Sequence, residues 1–424
     1  MLNSISLAVA SLLVSLSALY APHQTPAQTK RPIVIAGATI IDGSGRPGFR
    51  ASLRIEGDRI ARIGRVAVRR GDEVVDARGM ILAPGFIDIH NHSERGLNTD
   101  PGAKTQVSQG ITTIVIGADG GGPWPVGDYL SRRAESRAAV NLITFIGHAT
   151  VRQRVMGRDY KRPATEEEIF EMKRLVEQAM REGAAGLSTG LEYDVGHPST
   201  TEEVIELARV AARHGGIYMS HIRDEADLVM DALKEAIRIG REARIPVHIS
   251  HIKMGTVGVW GKSREAVALI DLARKSGVDV TADCYPYTAW ASTITVLVPS
   301  RRHEDPVAVE KGIDDVGGAS KVLITSCAAH SDFEGLTLEE AARRKGISPV
   351  EAYIRIVKDG GASVVCSSMQ ESDVHAFYRQ PWVMVASDGG IGLPHPRSAG
   401  SFPRVLGRFV RERRWLSLEE AIRK

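Results

Sequence analysis

The sequence predicts an α/β fold in which eight parallel strands alternate with helices and close a TIM-like (β/α)8 barrel. Its 424 residues, 43% of them hydrophobic, are enough to bury one large barrel core and a small appendage. Beyond residue 84, strand-like apolar runs alternate with helical patterns. Several of these runs end in metal-binding side chains, and a parallel barrel places its functional residues at the carboxyl ends of its strands.

The first residues predict export. Residues 5 to 21 are apolar and rich in small side chains, and a polar segment with Thr25-Pro26-Ala27 follows as a suitable cleavage site. We interpret residues 1–27 as a signal peptide and expect a periplasmic or secreted protein. An uncleaved anchor is the alternative, but the apolar run is shorter than the ~20 residues of a spanning helix, so no stable membrane insertion is expected.

Composition argues against two classes of protein. The 54 Lys and Arg and 51 Asp and Glu residues leave a formal charge of +3, with no basic run interleaved with aromatics, so nucleic acid is not an expected partner. Cys284, Cys327 and Cys366 lie far apart without Cys-x-x-Cys spacing, so a disulfide framework is not expected.

Residues 28–83 predict the N-terminal part of a small β-domain. Short strand-like pieces are separated by glycine in IVIAGATIIDGSG, ASLRIEGDRIARIG and EVVDARGMILAPG. Such runs are typical of hairpins with glycine at the turns. They precede any helical pattern, so we expect a small β-domain packed beside the barrel.

Residues 84–424 predict the barrel. Thr165 and Thr200, each followed three residues later by Glu, are capping boxes that open two long helices. A long gap before the last strand predicts an insertion around residues 295–380. The predicted strands are 85–90, 112–117, 141–147, 184–190, 216–220, 246–250, 279–283 and 383–387.

The strand ends predict a divalent-metal site. The candidate ligands are His90, His92, Glu192, His221, His251 and Asp388. Alternation along a strand puts His90 and His92 on one face, where both imidazoles reach the same metal. Imidazole and carboxylate ligands without thiolate suit zinc best, although other divalent first-row metals are possible, and such ions lower the pKa of bound water. Asp388 can ligate metal and carry a proton from water to a leaving group.

Two further histidines are assigned less directly. His148 also lies at a strand end, where it is either a ligand or a hydrogen-bonded core residue. His248 alternates away from His251, so we expect it to face the helices rather than the site.

From about residue 33 onward the chain resembles the amidohydrolase superfamily and, within it, the D-aminoacylases (N-acyl-D-amino-acid deacylases). The matching segments include APGFIDIHNH, GLSTGLEY, HGGIYMSHIRDE, PVHISHIK and HPRSAGSFPRVLGRFVRE. The resemblance implies a metal-dependent hydrolase barrel with a small β-sandwich, one or two zinc ions, and hydrolysis of the amide that joins an acyl group to a D-amino acid.

The resemblance also implies roles for individual residues. His90 and His92 match the paired metal histidines, His221 and His251 the ligands of a second metal, and Asp388 a metal ligand and general acid/base. Tyr193, Lys253 and Arg397 match positions that hold the substrate's free carboxylate, which suits a phenol and two cations.

The chain departs from the family at the bridging ligand. The best-known D-aminoacylases carry a metal-binding Cys in a Gly-Asn-Cys-Gly context after the second strand, where this chain reads Gly117-Ala118-Asp119-Gly120. They lack the carboxylate that this chain has in Gly-Leu-Glu-Tyr. We therefore hypothesise that Glu192 replaces the thiolate, with Asp119 as the alternative.

A second departure concerns the last residues. Family members usually continue beyond the helix predicted in LSLEEAIRK with segments that complete the sandwich, whereas this sequence stops at Lys424. We expect either a fragment, apparently truncated at the C-terminus, or a reduced β-domain with exposed apolar surface.

Two other functions are compatible with the sequence. One is a dipeptidase or cyclic-amide hydrolase of the same superfamily, with a dipeptide or ring amide as substrate. The other is a non-catalytic relic that binds metal or ligand, although every proposed ligand is present.

Overall fold

The computed structural model describes residues 31–424, so the signal peptide predicted for residues 1–27 lies outside the described part. The chain separates into two compact units, the first ending at Ala83 and the second running from Pro84 to Lys424. Within residues 31–424, no helix combines the length and apolar character needed to cross a membrane.

The first unit contains a five-stranded sheet. Its strands are Ile33–Ile40, Phe49–Glu56, Arg59–Gly64, Glu73–Asp76 and Ile81–Leu82. The first strand lies at the centre of the pairing, antiparallel to the second and parallel to the fourth and fifth. Val34, Ala38 and Leu53 are buried, whereas Ile60 is 62% exposed and Ile81 is 51% exposed. The sheet therefore buries its central strands and leaves apolar side chains of its outer strands in contact with solvent.

The second unit is built on eight parallel strands, which confirms the predicted barrel. They are Phe86–Asp88, Ile111–Ile116, Asn141–Thr144 continued by Ile146–Gly147, Gly186–Gly190, Ile217–His221, Val247–Ile249, Val280–Cys284 and Val383–Val385. Each strand lies beside its neighbour in this order. The barrel closes just beyond the first and eighth strands, where Asn91 pairs in parallel with Gly389 and the His92 N–H donates to the Gly389 carbonyl at 2.7 Å.

Helices cover the outside of the barrel, and the sequence accounts for where the longest ones begin. The Thr165 side chain accepts a hydrogen bond from the Glu168 N–H, and the Glu168 side chain accepts one from the Thr165 N–H, so this predicted capping box is complete. Thr200 accepts the Glu203 N–H, but the Glu203 side chain is turned to other partners. The helices of this unit are Gly96–Thr99, Lys104–Val107, Val126–Glu135, His148–Met156, Glu166–Arg181, Thr201–Arg213, Val229–Ala243, Ser263–Lys275, Pro306–Asp315, Leu338–Lys345, Pro349–Lys358, Glu371–Tyr378, Arg397–Arg404, a π-helix Val405–Glu412, and Leu418–Arg423.

A substructure is inserted between the seventh and eighth barrel strands. It contains an antiparallel three-stranded sheet in which Ser363–Cys366 lies between Trp290–Thr293 and Val322–Ser326. Three helices, Pro306–Asp315, Leu338–Lys345 and Pro349–Lys358, complete it. Because it follows the seventh strand directly, its first strand lies at the carboxyl end of the barrel.

Candidate metal centre and active site

A buried carboxylate ties the first and last barrel strands together at their carboxyl ends. Asp88 accepts the Ser387 N–H at 2.8 Å, the Ser387 hydroxyl at 2.5 Å and the Asn91 side-chain amide at 2.8 Å. Burial raises the pKa of Asp88, and these donors oppose that effect. These hydrogen bonds hold the ends of the two strands together. As a result, His90 and Asp388, which follow the two strands, lie side by side.

Four side chains from three strand ends form a first group of ligand atoms. His90 Nε2 lies 3.2 Å from His92 Nε2, 3.3 Å from Asp119 Oδ2 and 3.5 Å from Asp388 Oδ1. His92 Nε2 lies 3.3 Å from each of the same two carboxylate oxygens. Four ligands held ~2.0–2.2 Å from a tetrahedral zinc ion are separated by about 3.3–3.6 Å. The atoms therefore stand close to the corners of a zinc-sized tetrahedron.

Asp119 also belongs to a second group, with the histidines of the fifth and sixth strands. Its Oδ1 lies 3.6 Å from His251 Nε2 and 3.9 Å from His221 Nδ1, and these two nitrogens are 2.9 Å apart. Within the described chain this buried Oδ1 has no hydrogen-bond partner. A buried carboxylate oxygen without a donor is costly unless a cation satisfies it, so both groups fit divalent metal ions.

Backbone conformation explains how Asp119 reaches between the two groups. Its φ of +55° lies in the left-handed region, which Asp adopts more readily than most residues. The loop also packs tightly against the fourth strand, since a Cβ on Gly190 would lie 2.2 Å from the Asp119 carbonyl oxygen. Glycine at this position lets the loop approach closely enough to aim the carboxylate into the barrel mouth.

The candidate substrate residues converge on the same place. Tyr193, Lys253 and Arg397 line a cavity of about 440 Å³ together with His92, Asp119, His221, His251 and Asp388. The Tyr193 ring packs 4.5 Å from the His221 ring, and Arg397 donates to Asp388 Oδ2 at 2.7 Å. The residues predicted from distant segments of the sequence therefore surround one cavity.

Comparison with known proteins places this arrangement in a family. The model of the amidohydrolase family matches residues 73–424. The D-aminoacylase of Alcaligenes xylosoxydans xylosoxydans is 37% identical over 92% of this chain and 82% of its own length. The N-acyl-D-aspartate deacylase of the same organism is 36% identical over 94% of this chain and 80% of its own length.

Solved structures of N-acyl-D-amino-acid deacylases also match this chain. N-acyl-D-glutamate deacylase from Bordetella bronchiseptica, crystallised with zinc and a phosphonate that mimics the tetrahedral intermediate, matches with a TM-score of 0.83. That match has 34% identity and covers 93% of this chain and 84% of the other. A D-aminoacylase crystal structure matches with a TM-score of 0.81 at 34% identity, covering 92% and 83%. This chain belongs to the D-aminoacylase family of the amidohydrolases.

Glu192 lies outside the two groups that share Asp119. Its Oε2 is 2.8 Å from His221 Nε2, the ring nitrogen opposite the one that faces Asp119. His221, Glu192 and Glu225 are close enough to form a third group of ligand atoms. A neutral imidazole has only one nitrogen with a free lone pair, so His221 serves one group at a time. With His221 Nδ1 facing Asp119, Glu192 accepts a hydrogen bond from His221 Nε2 and orients the ring. The geometry therefore favours Asp119 over Glu192 as the carboxylate between the two metal positions.

Glu225 is a functional candidate that sequence reasoning missed. Its Oε1 lies 3.0 Å from His251 Nδ1 and accepts from Lys253 Nζ at 2.6 Å. Burial opposes the charge of Glu225, but Lys253 and His251 hold the pKa of its carboxyl well below the usual range. Glu225 thus orients His251 and fixes Lys253. Its position four residues after His221, in SHIRDE, was the available signal.

Asp283, at the end of the seventh strand, was also missed. It accepts the His251 N–H at 2.9 Å, and its Oδ2 lies 2.9 Å from His248 Nε2 and 3.4 Å from His90 Nδ1. The prediction that His248 faces the helices is wrong, because its ring shares this carboxylate with His90. Regular alternation stops at Ile249, where the strand ends, and His251 takes a φ of +34°.

His148 is a core residue in this structure. It is fully buried, and its Nε2 lies 2.8 Å from Glu203 Oε1, on a helix outside the barrel. Of the two interpretations left open by the sequence, the structure supports the hydrogen-bonded core histidine.

Proposed function

We propose that this protein is a zinc-dependent N-acyl-D-amino-acid deacylase, which hydrolyses the amide bond of N-acyl-D-amino acids to a carboxylate and a D-amino acid. The observation that carries the proposal is the pair of ligand groups that share Asp119 beside a cavity with two buried cations. Support comes from relatives named D-aminoacylase, N-acyl-D-glutamate deacylase and N-acyl-D-aspartate deacylase, and from the zinc in the Bordetella bronchiseptica enzyme.

The metal-holding residues follow from the geometry. His90, His92 and Asp388 would hold one ion, His221 and His251 a second, and Asp119 would contact both. Bound zinc supplies Lewis-acid polarisation of the amide carbonyl and lowers the pKa of water. Glu192 and Glu225 lie within hydrogen-bond distance of the outer nitrogens of His221 and His251 and orient these two rings. Asp283 lies 3.4 Å from the outer nitrogen of His90, an electrostatic contact rather than a hydrogen bond.

Asp388 is the residue placed to move the proton. Burial alone would raise its pKa, but Arg397 and the neighbouring histidines hold the pKa of Asp388 well below its usual range, so the group is an ionised carboxylate before the reaction begins. It takes the proton from the attacking water as the carbon–oxygen bond forms. It then delivers that proton to the amide nitrogen as the carbon–nitrogen bond breaks and the D-amino acid leaves.

The substrate's free carboxylate has suitable partners in the same cavity. Arg397 uses one nitrogen on Asp388, and its other terminal nitrogen lies 3.5 Å from the Ala291 carbonyl, so its guanidinium has further donors. Lys253 and Tyr193 line the cavity nearby. Charge-assisted hydrogen bonds from these groups would fix the carboxylate and thereby aim the amide at the metals.

The direct test is amino-acid release by purified, zinc-supplemented protein from paired N-acetyl-D and N-acetyl-L amino acids. We expect release from the D series only, and its loss in Asp388→Asn, which removes a carboxylate that would both hold metal and carry the proton. Equal release from the L series, or zinc binding without release from either series, would overturn the proposal.

We also propose that the protein is exported to the periplasm or secreted, on the basis of the apolar segment and cleavage site in residues 1–27. Expression of the full chain in a Gram-negative host, followed by fractionation and N-terminal sequencing, tests this. Export predicts a mature protein that begins near residue 28, and an intact N-terminus in the cytosolic fraction would contradict it.

A further inference from the structure

The cavity beside the metal centre has a limited supply of positive charge. Among the described residues that line it, Lys253 and Arg397 are the only lysine and arginine. Each is already paired with a carboxylate inside the site, Lys253 with Glu225 at 2.6 Å and Arg397 with Asp388 at 2.7 Å. These two cations are also the ones expected to bind the α-carboxylate of a substrate. A second carboxylate on the same substrate would find no cation left within this cavity.

The insertion forms a further part of the cavity wall, and apart from the carboxylate of Asp315 the residues that it contributes are neutral. It includes Ala291, Ser292, Val296, Leu297 and Val364. Ser292 and Val364 face each other across the antiparallel pairing of the inserted sheet. This wall begins next to Arg397, one of the two cations expected to bind the α-carboxylate, because Arg397 approaches the Ala291 carbonyl. A side chain that extends from the anchored α-carbon along this wall meets methyl groups and hydroxyls.

Two cationic side chains just beyond the wall are also paired with carboxylates of the protein. Arg301 and Lys311 line an adjoining cavity that shares Asp315 with the first. Arg301 pairs with Asp194 at 3.0 Å, and Lys311 pairs with Asp227 at 2.9 Å and with Asp315. An acidic side chain that reached this far would have to displace an existing partner and approach Asp315.

We infer that the preferred substrates carry a neutral, apolar D-side chain, which packs against the wall of Ser292, Val296, Leu297 and Val364, and that acidic D-amino acid derivatives are disfavoured. This inference rests on the proposed deacylase function and narrows its substrate class. It separates this chain from relatives named for D-glutamate and D-aspartate, to which it is about as similar in sequence as to D-aminoacylase. The physical reason is that a carboxylate buried without a partner is costly, whereas an apolar side chain gains from burial.

The first test compares kcat/KM of the zinc-loaded enzyme for N-acetyl-D-leucine, N-acetyl-D-glutamine and N-acetyl-D-glutamate. Glutamine and glutamate side chains match in size, so their difference reports the charge. We expect N-acetyl-D-leucine to exceed N-acetyl-D-glutamate by about 100-fold or more, with N-acetyl-D-glutamine between them. Hydrolysis of N-acetyl-D-glutamate as fast as N-acetyl-D-leucine would overturn the inference and leave the deacylase function intact. Failure of all three substrates would instead count against the proposed function.

The second test adds a cation to the wall. Ser292→Lys should raise the glutamate-to-leucine ratio of kcat/KM by about 10-fold or more, and the matched neutral variant Ser292→Met should not. Val296→Lys and Val296→Met repeat the comparison at a second, partly buried position, in case Ser292→Lys does not fold. A ratio that stays at the wild-type value in folded lysine variants at both positions would overturn the placement of the side chain at this wall.

Discussion

At the residue scale, one carboxylate, that of Asp119, faces both groups of candidate metal ligands. Asp119 offers Oδ2 to His90 and His92 and Oδ1 to His221 and His251. A carboxylate bridges two ions through separate oxygens, whereas a thiolate bridges through a single atom. An aspartate at this position would therefore tolerate a wider spacing between two ions than a cysteine would, and it would favour harder metals.

Replacing Asp119 should lower the zinc content of the protein. We expect Asp119→Ala to lose at least one equivalent of zinc, because both ligand groups lose an oxygen. Glu192→Ala should keep its zinc and lose activity moderately, by about 10–100-fold, since it only orients His221. Zinc per chain, measured by elemental analysis after gel filtration, distinguishes them. Full zinc in Asp119→Ala together with loss of zinc in Glu192→Ala would make Glu192 the bridge.

Asp283 offers a second test at this scale. Asp283→Asn preserves shape but weakens the contact with His90 Nδ1 and His248 Nε2, so we expect about 10–100-fold weaker zinc binding or activity. Competition with a chromogenic chelator measures the zinc affinity. Asp279→Asn, which changes an exposed carboxylate at the start of the same strand, is the matched control. Equal zinc affinity and activity in both variants would show that Asp283 does not position His90.

At the scale of elements, the barrel could be predicted in detail and the loops could not. Buried parallel strands appear in the sequence as short apolar runs, and most of these runs end near a candidate ligand or a glycine, so all eight strands were predicted close to their observed positions. Alternation failed after Ile249 because it describes only extended backbone, and His251 has left it. The choice between Glu192 and Asp119 depended on a left-handed turn that no periodicity records.

One helix contact is tied by a buried ion pair, and the sequence did not reveal it. Arg152, fully buried on helix His148–Met156, donates to both oxygens of Glu203 on helix Thr201–Arg213 at 2.6 and 2.5 Å. Burial opposes the charge of Glu203, but His148 and Arg152 hold its pKa below the usual value. Removing one partner from such a pair leaves an uncompensated buried charge.

We therefore expect Glu203→Gln to lower the free energy of unfolding by about 3–5 kcal/mol at pH 7. A carboxyl whose pKa is lowered by folding adds stability above its unfolded pKa near 4.5, and that stability is lost as the pH falls through the lower folded pKa. The deficit of Glu203→Gln should thus shrink at acidic pH. Urea unfolding at pH 7 and pH 4 measures it. Glu206→Gln, on the same helix and in the half-exposed pair with Lys173, should cost less than about 1 kcal/mol. Equal costs for both variants would contradict the buried-pair argument.

At the scale of the whole molecule, we expect folding and metal binding to be coupled in the barrel unit. Its mouth gathers the carboxylates of Asp119, Glu192, Glu225, Asp283 and Asp388 within a buried region. Lys253, Arg397 and the imidazoles offset part of this negative charge, and cations between the ligand groups would offset more. Residues of the insertion line the cavity at the same mouth, and the substrate preference inferred above rests on this contribution.

We therefore expect zinc to stabilise the native state. Because zinc binds the assembled ligand groups, free zinc at about 1,000 times its dissociation constant should add ~4 kcal/mol to the free energy of unfolding. Dialysis against a chelator should lower the melting temperature by several degrees, and stoichiometric zinc should restore it. The double variant His90→Ala, His92→Ala should respond less than wild type, since only the group around His221 and His251 remains. A melting temperature that chelation and zinc leave unchanged would mean that these side chains do not hold metal in the folded protein.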